Sequence, residues 1–452
     1  MTCYRRIAIV LCLGGLPGCR DASRPSSTAT AGPGVAPIAA ADRAPAAPSP
    51  VEPPPPEPAP LDPQARAEAL AQELVIVDGH IDVPWRLHEA VAAGKPADDV
   101  TKATEGGDFD LPRARAGGLD APFMSIYVPA SLEGKGAKKA AERLIALVEG
   151  IVAKAPDDFA LARSPAEVRA NTAAGKISLP MGMENGAPLE GDLRNVAYFH
   201  GRGIRYITLT HSKDNHISDS SYDARHTHGG LSKFGEKVVA EMNRVGIIID
   251  VSHVSDEAFD DVLRLSGVPV IASHSSCRHF TPGWERNMSD DMIRRLAAAG
   301  GVIQINFGSS FLSSDVERER EAHEAARDEH VKGLKLHRGS PEAAAAAAAY
   351  EREHPAPRAT VELVADHIEH VIALVGVDHV GLGSDFDGVG DSLPAGLRDV
   401  SQYPNLLRVL LERGHDRTAI EKIAGGNVLR VWQAVEDGAA RPTEGATSGR
   451  SP

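Results

Sequence analysis

Leu74-Val75-Ile76-Val77-Asp78-Gly79-His80-Ile81-Asp82 begins as an unbroken apolar run and ends in an imidazole between two carboxylates. Four other runs share that design. Ile177-Ser178-Leu179-Pro180-Met181-Gly182-Met183 leads to Glu184, and Ile247-Ile248-Ile249-Asp250-Val251-Ser252 leads to His253. Val268-Pro269-Val270-Ile271-Ala272-Ser273 ends at His274, and Val380-Gly381-Leu382-Gly383-Ser384 ends at Asp385. Apolar runs of this length, rich in β-branched residues, read as buried strands. An ionisable side chain closing a buried strand costs free energy unless something partners it. Parallel strands that close into a barrel bring their C-terminal ends around one mouth, where such side chains can partner one another or a shared ion.

Working outward, candidate strands fall at 74–80, 122–128, 177–184, 205–210, 246–252, 268–274, 301–307 and 379–385. Amphipathic stretches lie between them: Leu144, Leu147, Val148 and Ile151 recur at helical spacing, as do Val238, Val239, Met242 and Val245. Eight strands alternating with helices predict an α/β fold, a (β/α)8 TIM-type barrel spanning 64–437. A doubly wound open sheet is the runner-up, but it gives the polar strand ends no common centre. No Gly-x-Gly-x-x-Gly follows a strand, which leaves a dinucleotide fold without support. Between the seventh and eighth strands, 313–358 is charged, Ala-rich and longer than an ordinary barrel connection. It is expected to be a helical insertion, either a lid or contact surface near the mouth or a solvated excursion outside the chemistry.

The chain ends read differently. Residues 1–19 carry Arg5-Arg6, a short apolar stretch from Ile7 to Leu16, and Leu16-Pro17-Gly18-Cys19. That is the layout of a lipoprotein-type signal, with Cys19 as the lipid anchor, and the apolar stretch is too short to span a bilayer. Processing would leave the protein outside the cytoplasm, anchored to a bacterial membrane. Arg20 after the cysteine leans towards the outer membrane where there is one; an ordinary cleaved signal would leave the protein secreted or periplasmic. Residues 20–63 are Ala, Pro, Ser and Thr with Pro53-Pro54-Pro55-Pro56, a disordered linker by composition. Residues 438–452 read as a flexible tail. Beyond Cys3, Cys12 and Cys19 only Cys277 remains, so the mature body has no internal disulfide and any zinc site must use His and carboxylates. A formal net charge of −14 argues against nucleic acid and against anionic lipid, so membrane contact is expected through the anchor only.

His80 and Asp82 sit two apart on an extended chain, which puts both on one face, able to chelate one divalent ion. Glu184, between Gly182 and Asn185-Gly186, is uncrowded and can give one carboxylate oxygen to each of two ions. His253 and His274 would complete a second shell. Two ions so held can share a water and lower its pKa, so that the resulting hydroxide serves as nucleophile. Each histidine alone reads more simply as a hydrogen-bonded core residue; their joint placement at strand ends is what favours a hydrolytic two-metal centre.

Taken together, Val77-Asp78-Gly79-His80-Ile81-Asp82, Thr208-Leu209-Thr210-His211, Asp250-Val251-Ser252-His253-Val254-Ser255, Ser273-His274-Ser275-Ser276, Arg286-Asn287 with Asp290-Asp291, and Gly383-Ser384-Asp385-Phe386-Asp387-Gly388 resemble the membrane (renal) dipeptidase family of dizinc metallopeptidases. The order matches from about Leu74 to Trp432, apart from the 313–358 segment. The resemblance implies two Zn2+ per chain, one on His80 and Asp82, the other on His253 and His274, with Glu184 bridging. It further implies that His211 polarises the scissile carbonyl, that Arg286 grips the free carboxylate of a dipeptide substrate, and that Asp385 shuttles the proton. Asp387 is the rival for that last role. Substrates would extend to dipeptides with a C-terminal D-residue, and a homodimer is usual among such relatives. Asn185 stands where relatives more often have Gly, which would narrow that side of the pocket. His226-Thr227-His228 reads as a polar loop near the entrance rather than a further metal site. Two other readings stay open: a barrel metallohydrolase acting on a cyclic amide, lactone or phosphoester, and a non-catalytic metal-bearing lipoprotein that binds peptides.

Overall fold

The computed structural model describes residues 62–440 except Arg338. The signal sequence, Cys19 and nearly all of the linker lie outside the described residues, as does most of the tail. Ten strands occur in chain order: β1 (Ile76–Ile81), β2 (Leu119–Tyr127), β3 (Phe159–Leu161), β4 (Ile177–Leu179), β5 (Met181–Glu184), β6 (Ile204–Thr208), β7 (Ile248–Asp250), β8 (Ile271–Ser275), β9 (Val302–Ile305) and β10 (Val380–Leu382). Eight of them close a barrel in the order β1-β10-β9-β8-β7-β6-β5-β2, with every pairing parallel. The (β/α)8 expectation therefore holds, with each anticipated strand in its place in the ring.

Buried runs such as β1, all six residues of which are buried, form strands because only neighbouring strands can satisfy their backbone groups away from water. The helices between are set by caps and apolar stripes. Lys233–Val245 begins where Ser232 Oγ accepts from Gly235 N, buries Val238, Val239 and Met242, and stops at Gly246 in the left-handed region. Asp256–Leu265 and Asp290–Ala298 start in the same way at Ser255 and Ser289. At the end of the barrel where the strands begin, Val77, Phe123, Tyr206, Ile248, Ile271 and Val302 pack against Val428, Val431, Trp432 and Val435 of the final helix. That end is an apolar floor. The polar strand ends face the other way.

Two expectations need correction, and a third left two alternatives that the structure separates. The run 177–184 is two strands, because Pro180 has no N–H to give a ladder. Ile177–Leu179 leaves the barrel to pair with Phe159–Leu161, an unanticipated strand, and the barrel strand starts only at Met181. The final helix continues through Ala440, past the expected start of the tail at Gly438. Between β9 and β10, helices Ser314–Gly333 and Pro341–Glu353 pair through Arg327 and Glu351 at 3.1 Å, and the first of them buries no residue. Neither helix lines the main cleft, so the excursion is not a lid in this structure.

Gly79 and Gly383 allow β1 and β10 to approach the interior. A Cβ on Gly79 would lie 2.0 Å from Gln304 Nε2 and 2.7 Å from the Ser273 carbonyl oxygen. Gly79→Ala is expected to destabilise the barrel by about 1–3 kcal/mol, the cost of overpacking. The readout is a lowered denaturant midpoint at unchanged slope. An unshifted midpoint would mean that the interior has slack the packing does not show.

Candidate metal centre and active site

The mouth of the barrel opens on a cleft of about 870 Å³ whose lining includes Asp82, Trp85, Tyr127, Glu184, His211, Lys213, Tyr222, His253, Phe311, Asp385 and Asp387. Register puts Glu184 level with Thr208 and Tyr127, and Thr208 level with Asp250, so neighbouring strands present their polar ends at one height. His80 and Glu184 belong to β1 and β5 and His274 to β8, while His211, His253 and Asp385 follow β6, β7 and β10. His253 and Asp385 both take positive φ, 69° and 63°. A non-glycine residue there is strained, and such strain is tolerated where the surroundings dictate the backbone. Here it turns both side chains into the mouth.

Glu184 is the hub. Its Oε2 lies 3.5 Å from His80 Nε2, while its Oε1 lies 3.1 Å from His253 Nε2, 3.4 Å from His274 Nε2 and 3.5 Å from His211 Nε2. Asp82 Oδ2 is 3.4 Å from His80 Nε2 on the outer side. The two oxygens of one carboxylate thus face two separate sets of nitrogens. Burial would raise the Glu184 pKa, but the surrounding imidazoles, His80 first, hold it well below the usual carboxylate range. Burial pushes His253 and His274 well below the ordinary imidazole value, and the nearby Arg286 adds to the drop. They stand as neutral ligands beside an ionised carboxylate.

Hydrogen bonds set the tautomers. Ser273 Oγ donates to Asp250 Oδ2 at 2.6 Å, so at 2.7 Å it accepts from His274 Nδ1, leaving Nε2 of His274 without a proton. Tyr206 Oη donates to the Gly79 carbonyl at 3.1 Å and accepts from His80 Nδ1 at 2.8 Å, so the neutral His80 imidazole turns a bare Nε2 inward. Burial opposes a charge on His80, but Tyr206, Glu184 and Asp82 raise its pKa well above the ordinary value, the mark of a position that calls for a cation. His80 Nε2 and Asp82 Oδ1 are buried with no hydrogen-bond partner, and His253 Nε2 stands 2.8 Å from the bare His274 Nε2. Buried acceptors crowded this closely are unfavourable unless a proton or a divalent cation lies between them. The donor set fits divalent ions of the zinc type, and within it His80, Glu184 and His274, Glu184, His211 and His253, and His80, Asp82 and Asp385 each bring three ligand atoms within 4.8 Å of one another.

Other expected residues take distinct positions. Arg286 is 2% exposed; its guanidinium donates to Ser275 Oγ at 2.7 Å and to the His274 carbonyl at 2.8 Å, and lies 5.2 Å from the Phe311 ring centroid. Among the described residues it pairs with no carboxylate, and its Nε has no partner. Phe311 and His253, which flank it, line the cleft. Asp385 Oδ2 accepts from Asn306 Nδ2 at 2.7 Å. Burial pushes the Asp385 carboxyl up to about 7, with Asp82 and Glu184 adding to the rise and His80 and Asn306 opposing it. Cations held beside it would pull that value down.

Asp387, by contrast, is already engaged. It accepts from Arg86 Nε at 2.9 Å and from Asp108 N at 2.7 Å. Asn185 does not narrow the cleft: it is 1% exposed, donates to the Val128 carbonyl at 2.8 Å and accepts from Asn215. The 226–228 loop binds back on the protein, with Thr227 on Asp214 and His228 on the Asn215 carbonyl.

Sequence reading missed the supporting residues: Tyr206, Ser273, Asp250, Ser125 on Glu184 at 3.3 Å, and Asn306. It also missed Trp85, Tyr127 and Tyr222 in the walls. A polar residue on the inward phase of an otherwise apolar strand, as with Tyr206 in β6, was the available signal.

Three comparisons place this geometry among known proteins. Residues 64–445 match the family model described as membrane dipeptidase (peptidase family M19). An uncharacterised dipeptidase of Schizosaccharomyces pombe is 31% identical over 388 residues, 83% of this chain and 84% of that one. Among solved structures, the probable dipeptidase PvdM of Pseudomonas aeruginosa superposes with a TM-score of 0.69 at 28% identity, covering 83% of this chain and 99% of its own. A metallopeptidase of Rhodobacter sphaeroides, solved with a phosphinate mimic of the dipeptide L-Ala-D-Ala, gives 0.66 at 27% identity, covering 80% and 99%.

Tyr206→Phe removes the acceptor that fixes the His80 tautomer while keeping the ring packed on Phe123 at 5.3 Å. Divalent-ion affinity is expected to fall roughly 10–100-fold, as for other outer partners of ligand histidines. Competition with a chromophoric chelator measures it. Unchanged affinity in a folded variant would show that the phenol is only packing.

Proposed function

The chain belongs to the membrane dipeptidase family, peptidase family M19, and from that premise we propose that it is a zinc-dependent dipeptidase cleaving dipeptides with a free C-terminal carboxylate, those ending in a D-residue included. His80 and Asp82 would hold one Zn2+ and His253 and His274 a second, with Glu184 between them; bound there, the ions supply a water activated at neutral pH and Lewis acidity towards the scissile carbonyl. The bare Nε2 atoms of His80 and His274 and the two-sided Glu184 support that assignment.

The remaining steps fall to the chain's own side chains. Burial holds the His211 pKa below the ordinary imidazole value, with Glu184 opposing, so His211 is a neutral donor beside the cleft. Its Nδ1 has no partner, and a donor kept for charge that develops only during reaction lowers the barrier more than it tightens binding. Asp385, steadied on one oxygen by Asn306, keeps the other for a proton taken from the nucleophile and returned to the leaving amine. Asp387 is spoken for by Arg86 and Asp108.

The observation that carries the dipeptide reading is Arg286. A buried guanidinium that pairs with no carboxylate among the described residues is poised for one brought by the substrate, and a planar fork suits that group. A peptide longer by one residue has no carboxylate at that place. The structure solved with a mimic of L-Ala-D-Ala supports including a D-residue at the C-terminal side. For location, Arg5-Arg6, the apolar stretch from Ile7 to Leu16 and Cys19 support an extracytoplasmic protein held to a bacterial membrane by lipid. No described helix is long and apolar enough to cross a membrane.

Hydrolysis of L-Ala-D-Ala, of L-Ala-L-Ala and of the same dipeptides with an amidated C-terminus tests the reading directly. Free dipeptides should be cleaved in a chelator-sensitive way, and amidation should lower kcat/KM by about a hundredfold or more, the scale of an unpaired buried charge. Equal cleavage of amide and free acid would remove Arg286 from its role. Asp385→Asn is expected to retain bound metal while kcat falls about 10²–10⁴-fold, and Asp387→Asn should do much less. The reverse order would hand the proton to Asp387.

A further inference from the structure

Away from the cleft, one group of ligand-type side chains has no part in that chemistry. His279 lies in the turn Arg278–Phe280, Asp290 opens the helix Asp290–Ala298, and His370 belongs to the helix Val361–Val375. Three separate elements bring one ligand atom each to within 4.8 Å of the others. His370 Nε2 and Asp290 Oδ1 are 2.8 Å apart. The rings of His279 and His370 stack, with centroids 4.3 Å apart and planes at 23°.

The hydrogen bond accounts for His370 and Asp290 but not for His279, an exposed imidazole laid face to face on another. His367, a turn away on the same helix, shows what a structural histidine looks like here. It is fully buried, accepts from Cys277 N at 3.0 Å through Nδ1 and donates to the Leu312 carbonyl at 3.0 Å through Nε2. His370 and Asp290 remain reachable from solvent, with side chains 17% and 36% exposed.

We propose that His279, Asp290 and His370 form a peripheral divalent-cation site, separate from the active-site ions and independent of the dipeptidase reading. Two imidazoles and one carboxylate with room for water suit zinc, nickel or cobalt rather than calcium or magnesium. Ligand atoms around a tetrahedral ion sit roughly 3.4 Å apart for bonds of about 2.0–2.1 Å. The His370–Asp290 contact at 2.8 Å would open slightly to admit the ion, and the exposed His279 ring, within 4.8 Å of both, would turn to meet it. Asp290 is at a helix N-terminus, whose partial positive charge disfavours a cation, and Asp290 and Asp291 in that first turn offset it. Affinity is accordingly set below that of the buried centre.

The site has a structural consequence. Cys277 and Met288 pair as an isolated parallel bridge at the base of the loop that presents Arg286; His279 lies just inside that base, Asp290 just outside it, and His370 on the neighbouring helix. An ion there ties both ends of the loop to the outer helix.

The test titrates Zn2+ calorimetrically into the full-length, metal-loaded protein. The wild type should take up one further ion per chain in the micromolar range, with a rise in thermal midpoint that follows occupancy. His279→Ala, an exposed position outside the catalytic machinery, should weaken that uptake roughly tenfold or more and abolish the thermal shift, with dipeptide hydrolysis unchanged. Asp290→Asn, which leaves His370 an acceptor but removes the charge, should do the same. Uptake by His279→Ala equal to the wild type, or no uptake by the wild type below millimolar Zn2+, would overturn the proposal.

Discussion

An ionised carboxylate 4% exposed at the centre of a barrel is the constraint on which the rest depends. Among the described residues no arginine or lysine pairs with Glu184; it faces four imidazoles, of which burial holds His253 and His274 neutral, while the pKa of His80, despite its burial, is raised well above the ordinary value by Tyr206, Glu184 and Asp82. Its charge therefore calls for cations in the same space. Much of the surrounding architecture serves that demand: Tyr206 and Ser273 turn the lone pairs of His80 and His274 inward, and Asp250 anchors Ser273 through both its side chain and its backbone N–H. Replacing any of these by a packed apolar residue would leave the barrel's shape and remove the reason for its polar mouth.

Backbone strain is concentrated at the same place. His253, Asp385 and Asp387 all lie in the left-handed region just beyond their strands, and Asn185 joins them after β5. Three of these line the cleft, Asp387 while tied to Arg86 and Asp108, and Asn185 is turned away onto Val128 and Asn215. The strained turns at the mouth are thus held from behind by hydrogen bonds made to their neighbours, which lets the working side chains protrude without collapsing into the walls.

How far the sequence could be read follows from the range of each signal. Strand ends were legible because a buried run that stops at His or Asp breaks its own period, as at His80 and Asp385. Five ligand candidates could be named for that reason, and the structure brings three of them, all histidines, around the fourth, Glu184, with Asp82 beside His80. Pro180 was visible, yet its effect was not drawn, since the partner of Ile177–Leu179 lies in Phe159–Leu161, too short and ordinary to read as a strand. Tyr206, Asp250 and Asn306 escaped because their value lies in contacts across strands, which no local window contains. Asn185 misled for the opposite reason. Its neighbourhood in sequence is the cleft, but its positive φ turns the amide away.

The ring is closed by its two ends. Ser384, just after β10, donates to Asp78 of β1 at 3.0 Å across 306 positions of sequence, Tyr403 donates to the same carboxylate, and the final helix supplies the apolar floor. The first of the described strands to be synthesised therefore waits for the last. Until the C-terminal segment arrives, β1 and β9 are open edges with unpaired backbone, and pairing over such separation is slow. A chain of this topology has a long vulnerable interval between synthesis and closure, during which holding factors and slow folding favour it over haste.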